Sequence, residues 1–220
     1  MSSAQRVKHK QSAKEDRQRG RWKSLTDWVR SRAAGILMPI VRALGQMGVH
    51  PNTITIIGLL LQMGVGVVFG LGHTRIGGFL LLAVGPVDAL DGALARALGR
   101  QSRFGAFLDS TLDRLSDAAL ILGITAHYLR QEQMVAVVLS LVALVAAMMV
   151  SYTRARAESL GFNCEVGLLT RMERVVLIGA LSAVGLPMVM VWMLALLSVF
   201  TMIQRILHVY LASRREEQCS

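Results

Sequence analysis

The sequence predicts an all-α integral membrane protein with six transmembrane helices and an N-terminal amphipathic juxtamembrane helix. Hydrophobic residues make up 53% of its 220 positions, more than is usual for a water-soluble domain. The apolar runs are about 20 residues long, which is the length that a helix needs to cross the hydrocarbon core. They lack the period-two alternation of a β-barrel, so helices are the structure that can satisfy their backbone within a bilayer.

Six apolar runs are the predicted spans. They cover residues 53–72, 76–95, 106–128, 133–152, 173–190 and 191–212. On this assignment one set of loops carries little positive charge beyond Arg75 and Arg130, and the other is rich in arginine. The arginine-rich set contains Arg96, Arg100, Arg103, Arg154, Arg156, Arg171, Arg174, Arg214 and Arg215. Because positive loops stay in the cytoplasm, we expect both termini on the cytoplasmic side of the cell membrane.

The chain is predicted to have three regions. Residues 1–24 form a basic polar extension, residues 25–48 an interfacial amphipathic helix, and residues 49–213 the membrane domain. Residues 1–32 hold ten Lys or Arg against three acids, and each basic residue gains about 1 kcal/mol beside anionic headgroups. A nucleic-acid role is the competing interpretation of this charge, but no recognition motif accompanies it. We therefore expect membrane lipid as a partner and no nucleic acid.

Four aspartates lie inside or beside predicted spans. Asp88 and Asp91 are three residues apart, and Asp109 and Asp113 are four apart, so each pair lies on one helix face. A short loop joins the two helices, which makes them antiparallel neighbours whose carboxylates can converge. Several carboxylates near hydrocarbon need a compensating cation. The oxygen ligands favour one or two Mg²⁺ ions, with Mn²⁺ or Ca²⁺ as alternatives; salt bridges to neighbouring arginines are the explanation without a metal.

The aspartates belong to a longer pattern of eight identities at fixed spacing. These are Asp88, Asp91, Gly92, Ala95, Arg96, Gly105, Asp109 and Asp113. The pattern resembles, without a departure, the signature of the CDP-alcohol phosphotransferase family. That resemblance implies an integral membrane enzyme with six transmembrane helices, a juxtamembrane helix and homodimeric assembly.

The resemblance also implies roles for individual residues. The four aspartates would bind the metal, and Asp113 would in addition be the general base. Gly92 and Arg96 would hold the pyrophosphate of CDP-diacylglycerol. The segment "HPNTIT" resembles the family's entry to the first span, so Asn52 and Thr55 would contact the nucleotide, as would Ser102. An acceptor hydroxyl would then attack the β-phosphate of the CDP-linked lipid and release CMP.

The acceptor is indicated by segments outside the signature. "SYTRARAESLG" at 151–161, "VGLLTRMERVV" at 166–176 and "IQR" at 203–205 resemble actinobacterial-type members of the family that make phosphatidylinositol phosphate. The resemblance implies that Arg154, Arg174 and Arg205 bind the phosphate of inositol 1-phosphate. Two positions depart from those members: Arg154 replaces a lysine, and Thr170 stands where they carry Glu.

Other functions remain open from the sequence alone. Glycerol 3-phosphate is an alternative acceptor, because it is also a phosphorylated alcohol. A topological origin explains Arg154 and Arg171 easily, but it explains Arg205, inside an apolar helix, poorly. An aspartate-lined cation transporter and a non-catalytic scaffold are the alternatives from other classes of protein.

Overall fold

The computed structural model describes residues 50–87 and 102–219, which lie within one compact unit that spans Gly48–Ser220. Its helices are α1 (Pro51–Gly70), α2 (Thr74–Val84), α3 (Arg103–Arg130), α4 (Met134–Ser159), α5 (Arg171–Val184) and α6 (Pro187–Cys219), and a 3₁₀ turn at Gly85–Val87 follows α2. These ranges contain no strand, so the predicted all-α class is confirmed. The predicted extension 1–24 and interfacial helix 25–48 lie outside the described residues. So do five of the eight signature residues: Asp88, Asp91, Gly92, Ala95 and Arg96.

Three of the described helices are long and apolar enough to cross a membrane. They contain the segments Asn52–Gly70, Met134–Ser159 and Pro187–Arg215, and α2 is a shorter apolar helix. Large side chains on the outside of these helices are exposed, for example Leu60 at 60% and Leu196 at 61%. An exposed apolar surface of this extent is typical of contact with lipid rather than water.

The fifth and sixth predicted spans meet at a different place from that expected. The structure ends α5 at Val184 and starts α6 at Pro187, whereas the sequence prediction put the boundary at 190/191. Gly185 takes the left-handed conformation, with φ of 88°, and its N–H bonds back to Leu181 and Ser182. Glycine tolerates this conformation and Pro187 suits the start of a helix. The prediction was wrong because the apolar run continues unbroken across this turn.

The helices pack in pairs that define the bundle. α1 packs on α3, α4 on α6, α2 on α5 and α3 on α4. The α1–α3 contact is especially close, because a Cβ at Gly123 would lie 2.0 Å from the carbonyl oxygen of Gly66. Only glycine permits backbones to approach so closely. α3 and α5 are not among the principal pairs of the described helices, and a polar cavity lies between their ends.

Candidate active site

The carboxylates of α3 lie on one side of the helix. Ser102 caps its start, and its Oγ accepts a hydrogen bond of 2.9 Å from the Gly105 N–H. From this start Asp109, Asp113 and Asp117 follow at four-residue intervals and therefore share a face. Their oxygen atoms are of the type that hard divalent cations prefer. The described residues contain no group of three His, Cys, Asp or Glu side chains that could hold a metal ion, and two of the four predicted ligands lie outside them.

Two predicted nucleotide contacts come together at the start of α1 and α3. A Cβ at Gly105 would lie 3.0 Å from Ser102 Oγ and 3.3 Å from Asn52 Oδ1. The side chains of Asn52 and Ser102 thus both approach the bare backbone of Gly105, and a larger residue there would crowd both. Thr55 lies three residues beyond Asn52, on the next turn of α1.

A cavity of about 360 Å³ opens beside Asp113, between the ends of α3, α4, α5 and α6. Its walls include all three arginines predicted to bind the acceptor phosphate: Arg154, Arg174 and Arg205. Eight of the lining residues that the structure describes are charged. They are Asp113, Arg114, Asp117, Arg154, Glu158, Arg171, Arg174 and Arg205. Among these described residues the five arginines outnumber the three carboxylates, which gives a formal surplus of two positive charges.

Arg171 and Arg174 reach from α5 to the carboxylates of α3. Arg171 Nη2 lies 3.2 Å from Asp113 Oδ1 and donates to Ser116 Oγ at 3.0 Å. Arg171 Nε is 3.7 Å from Asp117 Oδ1, which is a charge contact too long for a hydrogen bond. Arg174 Nη2 donates to Asp117 Oδ2 at 2.5 Å. These ion pairs hold the two helices together across the cavity.

The sequence predicted Asp117 on the same helix face as Asp109 and Asp113 but indicated no partner for it, and membrane topology was a sufficient explanation of Arg171. A signal was available, because Arg171 and Arg174 are three apart on α5 and Asp113 and Asp117 are four apart on α3. Each pair therefore presents two charges on one face. The sequence does not indicate that the two faces meet.

Arg174 is the most enclosed cation of the cavity, with 2% of its surface exposed. Its Nη2 is bonded to Asp117, but its Nε and Nη1 are buried with no hydrogen-bond partner among the described residues. Buried donors without a partner are costly and uncommon in folded proteins. Two such donors on a cavity-lining guanidinium fit a site for an anionic ligand.

Arg205 is tied to the backbone. Its Nε donates to the carbonyl oxygen of Val166 at 2.8 Å, and its Nη1 donates to the carbonyl oxygen of Val150. Nearby, Thr201 Oγ1 accepts a hydrogen bond of 3.0 Å from the N–H of Leu169. The sequence predicted Arg205 only as a phosphate ligand, whereas the structure also uses it to hold the 160–170 loop, which leads into α5.

Arg154 lines the cavity from α4 and is exposed. Its Nε donates to Glu158 Oε1 at 2.8 Å, one turn further along α4, and both side chains are 49% exposed. An exposed pair at this spacing contributes little to stability. An incoming anion can therefore compete with Glu158 for Arg154.

Comparison with known proteins identifies the family. A model of the CDP-alcohol phosphatidyltransferase family matches residues 48–204, which is more than half of the chain. The chain belongs to this family. The resemblance first seen in the eight signature residues is thereby confirmed, and the chain is an enzyme of the transferase class, found in membranes. Membership leaves no support for the alternative of a cation transporter.

Several relatives carry names that refer to inositol lipid synthesis. The archaetidylinositol phosphate synthase of Methanothermobacter thermautotrophicus is 45% identical over 163 residues, which are 71% of this chain and 81% of the relative. The phosphatidylinositol phosphate synthase of Corynebacterium glutamicum is 36% identical over 186 residues, covering 80% and 85%.

Solved structures agree with these relatives. Phosphatidylinositol phosphate synthase of Mycobacterium tuberculosis with CDP-DAG bound matches with a TM-score of 0.76 and 32% identity, over 80% of this chain and 94% of that one. The same enzyme in complex with manganese and citrate matches with a TM-score of 0.75 and 32% identity, over 79% and 88%.

Proposed function

We propose that this enzyme transfers the phosphatidyl group of CDP-diacylglycerol to inositol 1-phosphate and so takes part in phospholipid biosynthesis. The products are phosphatidylinositol phosphate and CMP. The observation that carries the proposal is the arginine-lined cavity beside Asp113, in which Arg174 keeps two buried donors without a partner among the described residues. A phosphate monoester carries nearly two negative charges at neutral pH, which matches the surplus of two positive charges among the described lining residues.

Asp113 is the proposed general base. A carboxylate oxygen of Asp113 takes the proton of the acceptor hydroxyl, and the acceptor oxygen bonds to the β-phosphorus of the donor. The bond from that phosphorus to the oxygen shared with the α-phosphate breaks, and CMP leaves. Arg171, 3.2 Å from Asp113 Oδ1, orients the carboxylate toward the cavity. This reaction relies on positioning and charge neutralisation more than on covalent participation of the protein.

Asp88, Asp91, Asp109 and Asp113 are the proposed ligands of one or two divalent ions, Mg²⁺ or Mn²⁺. The oxygen donors of Asp109 and Asp113 on one face of α3 fit such ions, and a solved relative contains manganese. When bound, the metal offsets negative charge on the donor phosphates.

The donor nucleotide is assigned to the start of α1 and α3. Asn52, Thr55 and Ser102 would contact the nucleotide, while Gly92 and Arg96 would hold the pyrophosphate. The proximity of Asn52 and Ser102 over Gly105 supports this assignment, as does the CDP-DAG bound to the solved relative.

In the membrane we propose six transmembrane helices, an interfacial helix at residues 25–48, and a cytoplasmic active site in the cell membrane. The arginine-rich loops support this orientation. A homodimer is part of the proposal. Its interface would not use the face of Gly66 that packs against α3, because Ala119 and Gly123 already occupy it.

The test is CMP release by the purified protein in detergent with CDP-diacylglycerol and Mg²⁺. Inositol 1-phosphate, glycerol 3-phosphate and free inositol are offered in parallel, and the lipid product is identified by mass spectrometry. We expect release with inositol 1-phosphate and a product of the mass of phosphatidylinositol phosphate. Release only with glycerol 3-phosphate would overturn the proposed acceptor but keep the chemistry, and no release with any acceptor would favour a non-catalytic scaffold.

A further inference from the structure

We propose that Asp117 is a positioning residue for the acceptor phosphate: its buried carboxylate holds Arg174 and Arg171 in the orientation that receives the anion. The inference rests on the proposed function, since it concerns the same cavity. Asp117 lies outside the eight-residue signature, one turn beyond Asp113 on α3.

The contacts of Asp117 divide between the two arginines. Its Oδ2 lies 2.5 Å from Arg174 Nη2, and its Oδ1 lies 3.7 Å from Arg171 Nε. The side chain is only 7% exposed. A buried carboxylate is stable only when it is paired, so Asp117 and Arg174 constrain each other. One oxygen is hydrogen-bonded to the guanidinium of Arg174, and the other is in charge contact with that of Arg171.

The bond from Arg174 Nη2 to Asp117 determines which donor nitrogens of Arg174 remain for a ligand. Asp117 binds one nitrogen, and Nε and Nη1 stay unbonded within the described residues. A free arginine side chain has many rotamers, which an anion would have to restrict on binding. A guanidinium already fixed by Asp117 is preorganised, and its remaining donors can bind the phosphate with less loss of entropy.

Arg171 extends the arrangement to the catalytic carboxylate. It contacts Asp113 at 3.2 Å and Asp117 at 3.7 Å. Asp117 therefore stands between the residue that would take the acceptor's proton and the residue that would bind the acceptor's phosphate. Asp117 thus lies between the residues proposed to contact the hydroxyl and the phosphate of the acceptor.

Because Asp117 is negatively charged, the proposal can be distinguished from a model in which only the total charge of the cavity controls acceptor binding. Removing one carboxylate would raise the surplus of positive charge among the described lining residues from two to three. If only the total charge mattered, the acceptor would bind more tightly after Asp117→Asn. If Asp117 positions the arginines, the acceptor binds more weakly, and the two models predict opposite signs.

The experiment measures steady-state kinetics of Asp117→Asn with inositol 1-phosphate and CDP-diacylglycerol. We expect the KM for the acceptor to rise at least tenfold, with the KM for the donor within twofold of wild type and kcat less affected. Glu165→Gln is the matched control, because Glu165 is exposed and does not line the cavity. An unchanged or lower acceptor KM in Asp117→Asn would overturn the proposal.

A double variant tests whether Asp117 acts through Arg174. We expect Asp117→Asn combined with Arg174→Lys to raise the acceptor KM little beyond Arg174→Lys alone, since both changes disrupt one unit. If the acceptor KM of the double variant rose by the product of the two single-variant increases, this expectation would be contradicted.

Binding without catalysis supplies an independent readout. Inositol 1-phosphate is added without donor, and the rise in melting temperature is compared between wild type and variant. We expect a smaller rise in Asp117→Asn, and an equal rise would count against the proposal. If Asp117→Asn does not fold, Asp117→Glu keeps the charge and displaces the carboxylate, and a tenfold higher acceptor KM is again expected.

Failure of the proposed function gives a different result from failure of this inference. If wild type uses glycerol 3-phosphate instead, the acceptor is reassigned and the same comparison is made with that compound. If wild type uses only free inositol, no phosphate enters the cavity and the role of Asp117 falls with it.

Discussion

At the scale of single residues, Asp113 and Arg174 differ in how far they are exposed. Asp113 is partly accessible, with 29% of its side chain exposed, whereas Arg174 is 2% exposed. A general base must be accessible to the substrate. A cationic side chain binds an anion more strongly where water is excluded. The two environments fit the two proposed roles.

Replacing Asp113 by Asn should remove the general base while keeping the shape of the side chain. We expect CMP release to fall by about 10³-fold, because positioned bases contribute about 10²- to 10⁴-fold. The assay is CMP release at saturating substrates, with a melting curve to confirm folding. A folded variant with more than a tenth of wild-type activity would exclude Asp113 as the base.

Replacing Arg174 by Lys keeps the positive charge beside Asp117 but removes the planar fork. Lys has one nitrogen, whereas Arg174 has Nε and Nη1 without a hydrogen-bond partner among the described residues. Charge-assisted hydrogen bonds are worth about 1.5–3 kcal/mol each, so we expect the KM for inositol 1-phosphate to rise about 10- to 100-fold. Arg156→Lys is the control on exposed α4 surface outside the cavity. Equal acceptor KM values in the two variants would contradict the assignment.

At the scale of elements, the bundle depends on how close α1 and α3 approach. Gly123→Ala would place a methyl group 2.0 Å from the carbonyl oxygen of Gly66, so the helices must separate. Overpacking of this kind costs about 1–3 kcal/mol, and we expect a clear fall in melting temperature in detergent. Gly64→Ala is the control, because a Cβ there meets nothing within 4 Å. The same melting temperature for both variants would show that this crossing does not limit stability.

Hydrogen bonds to Thr201 and Arg205 hold the 160–170 loop against α6. Thr201→Val removes the acceptor of the buried Leu169 N–H, and an unsatisfied buried group costs about 1–3 kcal/mol. We expect a lower melting temperature and a raised acceptor KM, since the loop leads into the arginines of α5. Ser198→Ala is the control, because Ser198 Oγ is buried without a hydrogen-bond partner among the described residues. If Ser198→Ala were as destabilising as Thr201→Val, the Leu169 contact would not be the cause.

At the scale of the whole molecule, the sequence predicted the features that depend on local pattern. The apolar runs predicted the helical class, and the four-residue spacing of Asp109 and Asp113 predicted that they share one helix face. The α5–α6 boundary was missed because Gly185 and Pro187 lie within one apolar run. The Asp117–Arg174 pair could not be predicted, since its members are 57 residues apart and nothing local couples them. The backbone contacts of Arg205 depend likewise on where the 160–170 loop folds back.

The most direct test of the account is a crystal or cryo-electron-microscopy structure of the full chain with inositol 1-phosphate and Mg²⁺, without donor. The account predicts the acceptor phosphate within hydrogen-bond distance of Arg174 Nε or Nη1, Asp117 still bonded to Arg174 Nη2, and the acceptor hydroxyl directed toward Asp113. A phosphate bound away from Arg174, with the cavity between α3 and α5 empty of acceptor, would contradict it.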